Sequence, residues 1–130
     1  MNRNLKVHRD LLRLARTHAG SHRLMTTNFD DLFHLAGIKK NHIDVAPRWH
    51  SPKPAGWHTV VHLHGRLPDQ TDPTYADLVL TSVGFGQAYM LAGWATRFVV
   101  ELLRNFMVVF IGYSLNGPVM CYMVEAFAAA

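Results

Sequence analysis

Thr59-Val60-Val61-His62-Leu63-His64-Gly65 is a short apolar run that ends in a histidine and then a glycine. Such a strand carries a titratable side chain to the carboxyl edge of an open α/β sheet, where ligands bind, and the glycine turns the backbone away. In extended backbone Val61 and Leu63 share one face, and Val60, His62 and His64 the other. Two more stretches have the same form. Leu24-Met25-Thr26-Thr27 runs into Asn28-Phe29-Asp30, and Met107-Val108-Val109-Phe110-Ile111 runs into Gly112-Tyr113-Ser114. The expectation is three buried strands whose small or polar ends meet in one site.

Helical spacing fills the intervals. Residues 4–18 read as an amphipathic helix: Val7, Leu11 and Leu14 recur on one face, Leu12 and Ala15 widen it, and Arg9, Arg13 and Arg16 face water. Asn28 is placed to cap a second helix, with Asp30 and Asp31 in its first turn and Gly37 at its end. Residues 38–58 are irregular, with Ile43-Asp44-Val45 as a short strand. Residues 67–76 form a polar loop, and residues 78–81 a further strand. Residues 86–104 read as a helix broken near Gly93, with Met90, Trp94 and Phe98 in the core. After Pro118, residues 119–130 are helical. Strands alternating with helices give an α/β class, a parallel sheet with helices on both faces. The chain opens on a helix and stops inside an apolar one, so residues 1–130 read as a single domain, incomplete at the N-terminus.

Composition narrows the classes. The chain has 130 residues, 49% of them hydrophobic and 17% charged, which favours a buried core over disorder. A formal charge of +4 suits an anionic ligand without choosing between a dinucleotide and a nucleic acid. The basic residues are scattered, and only Lys39-Lys40 are adjacent. The single cysteine, Cys121, excludes an internal disulfide and a four-cysteine zinc site, so a reducing, cytoplasmic location is expected. No apolar run reaches the roughly 20 residues that span a bilayer.

Three motifs stand in order: Thr26-Thr27-Asn28-Phe29-Asp30, His62-Leu63-His64-Gly65 and Gly112-Tyr113-Ser114-Leu115-Asn116. Together they resemble the prokaryotic sirtuin-like (silent information regulator 2) domain family over residues 23–127. The resemblance implies a Rossmann-like fold that binds NAD as substrate, without a metal. It implies nicotinamide–ribose cleavage, as in bacterial anti-phage defence hydrolases. It further implies that Asn28 and His64 are the catalytic pair. Asp30 would contact the nicotinamide end, Gly112 and Ser114 the adenosine side, and Thr27 and Leu115 would also belong to the cofactor-binding set. Two features depart from the pattern. No Gly-Ala-Gly phosphate loop precedes Asn28, and Gly117 stands where relatives carry Asp. Lysine deacylation is not expected, because the cysteines of a zinc ribbon are absent.

The chemistry fits those residue types. Breaking a glycosidic bond builds positive charge on the ribose, which the site must stabilise while positioning water. An asparagine amide both donates and accepts, and a histidine titrates near neutrality. Other readings stay open at this point. The chain could be a non-catalytic nucleotide- or protein-binding remnant of the fold. His62-x-His64, with His58 nearby, also has the spacing of a zinc pair. Trp49 and Trp57 could stack on bases, although packing over the sheet is the expected role and nucleic acid and membrane are not expected partners. A second copy of the chain, or a further domain of a longer one, remains an open partner.

Overall fold

The computed structural model describes residues 4–49, 51–67, 78–114 and 116–129. Three short strands form one parallel sheet in the order β1-β3-β2: β1 is Leu24–Thr26, β2 Ile43–Val45 and β3 Val60–His62. In register, Thr26 and Val45 both lie opposite His62. The two outer strands therefore end level with the central histidine.

Residue alternation along β3 sorts the helices onto two faces. Val60 packs with Leu12 of α1 (Lys6–Leu14), Phe33 of α2 (Leu32–Leu35) and Ile38. Val61 and Leu63 pack on the other side with Phe98 and Leu102 of α4 (Trp94–Asn105) and Met120 of α5 (Pro118–Ala128). Phe98 lies at the centre of that core, with the Trp49 and Trp57 rings edge-on at 5.6 and 5.9 Å. Arg23 ties the start of β1 to the chain before β3: Nε donates to the Trp57 carbonyl at 3.0 Å and Nη2 to that of Pro54 at 2.6 Å. The tryptophans thus pack, as expected.

The break near Gly93 is real and sharper than expected. α3 (Ser82–Gly86) continues through a π-helical turn, Gln87–Leu91, and Gly93 then takes φ 64° before α4. Left-handed backbone of this kind favours glycine. Met90 falls on the outside of the wide π turn and is 75% exposed, so it is not a core residue.

Several expectations fail for one reason: strands and apolar helix faces hold only where a neighbour covers them. Residues 107–111 are not a strand. Among the described residues no backbone hydrogen bond reaches them, and Met107 is 96% exposed. They line one side of a cleft whose other side is β1, so the two segments do not pair. Leu14, on the same cleft, is also exposed, and so is Val7. Residues 78–81 form no strand either; the Val79 amide instead donates to the His64 carbonyl at 2.9 Å. Apart from Leu67, the expected 67–76 loop lies outside the described residues, as does Leu115.

Candidate functional site

Two strand ends are stitched together at the carboxyl edge. The Leu63 amide donates to the Thr26 carbonyl at 2.9 Å, and the Leu67 amide to that of Phe29 at 2.8 Å. His62 Nδ1 lies 3.0 Å from the Asn28 carbonyl. Arg66 closes the far end with Nε donating to Asp31 Oδ1 at 2.8 Å, in a largely buried ion pair. Sequence reasoning missed Arg66. Its place directly after Gly65 is the signal that could have found it.

Asn28 is not the helix cap expected of it. Its amide donates to Thr26 Oγ1 at 3.1 Å, its carbonyl meets His62, and the residue is exposed. Asp30 takes over at the helix start, with Oδ1 accepting from the Leu32 amide at 3.1 Å. That frees the Asn28 side chain from a structural task. It also ties the Asp30 carboxylate to backbone.

The two histidines part company. His62 lies within β3, fully buried, and its Nε2 has no partner among the described residues. Burial pulls its pKa down, partly offset by the Asn28 carbonyl. His64 lies past the end of β3, where Gly65 takes φ 93° and strict alternation lapses. It therefore does not share the His62 face. Its ring joins the Val61 side of the sheet, edge-on to Phe85 and Tyr89. His64 Nε2 lies 2.6 Å from the Tyr89 hydroxyl, and both residues are buried. Burial alone pushes the His64 pKa down to about 4, so the ring is neutral at physiological pH. Burial drives the Tyr89 phenol well above its ordinary range, with a smaller contribution from nearby Tyr113. A protonated phenol both donates and accepts, so it can bond the Nε2 of either neutral tautomer of His64. Tyr89 lies on the π turn, a common feature of functional sites. The sequence offered no clue to this partner, 25 residues away.

The third tip, residues 112–114, joins through its neighbours. Gly112 takes φ 63°, and open space lies where a Cβ would stand. Thr27, Asn28, Gly112 and Tyr113 line one cleft of about 530 Å³. Ser114 is exposed and is not among the residues of that wall, nor are His64 and Asp30. Tyr113 lies on the cleft and packs against the core cluster that holds Tyr89. At Gly117 the start of α5 carries no side-chain cap.

The histidines that could have shared a metal point to different partners. His58 meets Ser21 Oγ at 3.3 Å and the Ala55 carbonyl at 3.2 Å, His62 meets Asn28, and His64 meets Tyr89. Among the described residues no three His, Cys, Asp or Glu side chains gather as a metal group. Cys121 is half-buried and lies 3.4 Å from Glu125, whose carboxylate holds the thiol pKa up. That suppresses the reactive thiolate.

A parallel sheet with helices on both faces defines an α/β protein, and its larger cleft runs along β1 and past the carboxyl end of that strand. The SIR2-like domain family matches residues 22–130, and the chain belongs to that family. It is also similar to the uncharacterized protein y4cA of Sinorhizobium fredii (strain NBRC 101917 / NGR234), at 37% identity over 128 residues. That match covers 92% of this chain but 11% of the relative, so the chain spans about a tenth of the length of its relative. No solved structure matches it. SIR2-like domains bind NAD. One feature of this chain fits such a ligand: the open space beside Gly112 on the cleft. Among the described residues no helix is long and apolar enough to cross a membrane.

Proposed function

We propose that this domain binds NAD and cleaves its nicotinamide–ribose bond, as part of a bacterial anti-phage defence protein. The observation that carries this reading is the meeting of Thr27, Asn28 and Gly112 on one cleft, where it passes the carboxyl end of β1. Asn28, exposed and free of a capping role, positions the attacking water and the ribose. His64 is buried against Tyr89 and lies off this cleft, so its role in exchanging a proton with a ribose hydroxyl or with water rests on the family resemblance alone. The resemblance also supports Asp30 as the residue that orients the nicotinamide end, although its carboxylate accepts from the Leu32 amide and lies off the cleft wall. Backbone amides of residues 112–114, with Ser114 and Leu115, hold the adenosine side. The family resemblance supports the defence role.

The test is nicotinamide release from NAD, measured by liquid chromatography. It is run on this chain and on the longest natural polypeptide that contains it. Asn28→Ala and His64→Ala are each expected to lower the rate at least about 100-fold with the fold intact. If the longer polypeptide neither binds nor cleaves NAD, the proposal is wrong. One observation favours a second reading, a non-catalytic nucleotide-binding remnant: residues 107–111 are unpaired beside the cleft. NAD binding without nicotinamide release, in both polypeptides, selects it.

A further inference from the structure

A second cleft, of about 300 Å³, lies on another side of α1 and shares no wall residue with the larger one. Arg9, Arg13 and Arg16 line it from α1 and the residues just after, and His22 lines it from the strand approach. Leu12, Gly20 and the segment after α2, from Ala36 to Ile38, supply the remaining wall. Among the described residues no carboxylate lines this cleft. Asp10, the acid on the same helix, is held mainly by Lys6 at 2.7 Å, with Arg13 at 3.4 Å. Among the described residues Arg9 and Arg16 have no acidic partner.

Backbone fixes the arrangement. Arg16 and His22 are paired across an antiparallel bridge. The turn between them is closed by the Thr17 amide donating to the Ser21 carbonyl at 2.8 Å. The Arg16 guanidinium lies over Gly20, which takes φ 85°; a Cβ there would stand 3.6 Å from Nη2. The field is felt locally: burial comes first, then Arg16 and His42, in pushing the His22 pKa down. Guanidinium groups gathered without acids repel one another, and a bound anion relieves that repulsion. Their planar donor forks match phosphate oxygens.

We propose that this cleft binds phosphate groups, carried either by a free nucleotide or by a nucleic-acid backbone. The two clefts have no wall residue in common, so the site is separate from the NAD cleft.

The test follows the His22 ring by NMR while inorganic pyrophosphate is added to the intact chain. Saturable binding with a rise of roughly one pH unit in the His22 titration midpoint is expected. Added salt weakens it, as screening requires. The double variant R13Q/R16Q changes exposed side chains and keeps its far-UV circular dichroism. Its pyrophosphate affinity is expected to fall roughly tenfold or more. A labelled single-stranded oligodeoxynucleotide, followed by anisotropy, separates the sources. Oligonucleotide binding tighter than that of pyrophosphate, and lost in the variant, assigns the site to a nucleic-acid backbone. Pyrophosphate binding that the oligonucleotide does not compete assigns it to a nucleotide. A His22 ring that gives no saturable response, or an affinity unchanged in the variant, overturns the proposal. Neither readout depends on NAD cleavage.

Discussion

Acidification from pH 7 to pH 5 should weaken this protein, and His64 should carry much of the loss. Its ring is buried beside Phe85 and Tyr89 with no charged partner, and its pKa is about 4 in the folded chain. In the unfolded chain a histidine titrates near 6.5. Between those values the unfolded chain binds more protons. The contribution of His64 is therefore complete above about pH 6.5 and is lost as pH falls toward 4. Each pH unit between the two values is worth about 1.4 kcal/mol, so the full loss is about 3 kcal/mol. About 2 kcal/mol of it falls between pH 7 and pH 5. With a urea slope of about 1.5 kcal/mol per molar, the midpoint drops by roughly 1 M. The assay is urea unfolding followed by circular dichroism at both pH values, for wild type and His64→Gln. His62 and His22 titrate low for the same reason, so the variant keeps part of the slope. The measured quantity is the difference between the two proteins. If wild type and variant lose the same stability over this interval, burial does not hold His64 neutral.

Tyr89→Phe removes the hydroxyl that faces His64 Nε2 at 2.6 Å and should cost about 1–3 kcal/mol, read by thermal unfolding. It should also shift the imidazole nitrogen resonances of His64, and an unchanged spectrum would mean that the hydroxyl does not bond the ring. Phe98→Ala opens the centre of the larger core, where the ring is 1% exposed, and should cost about 3–5 kcal/mol in urea unfolding. Arg66→Met and Asp31→Asn, alone and combined, should show a coupling of about 1–2 kcal/mol in a double-mutant cycle, since the pair is largely buried. A coupling near zero would mean the pair does not fasten the two strand ends.

What the sequence determined by itself is local or linear. Alternation at Val60, Val61 and Leu63 named the central strand and the two faces it serves, because side chains in extended backbone must point alternately. Gly93 marked the helix break, because few other residues take left-handed backbone there. Three short motifs in order pointed to the family that matches residues 22–130. Tertiary structure decided whatever depends on a neighbour distant in the chain. Residues 107–111 have the composition of a strand, yet no described backbone lies where it would pair with them. His62 and His64 look equivalent in the sequence, but the strand ends between them, so one meets Asn28 and the other Tyr89. Arginines that read as scattered and solvated converge with His22 on one cleft, with no carboxylate among its described wall residues, only once α1 docks beside the turn at Gly20. Short-range sterics can be read from adjacent letters, whereas pairing, burial and electric field are sums over groups that only folding brings together.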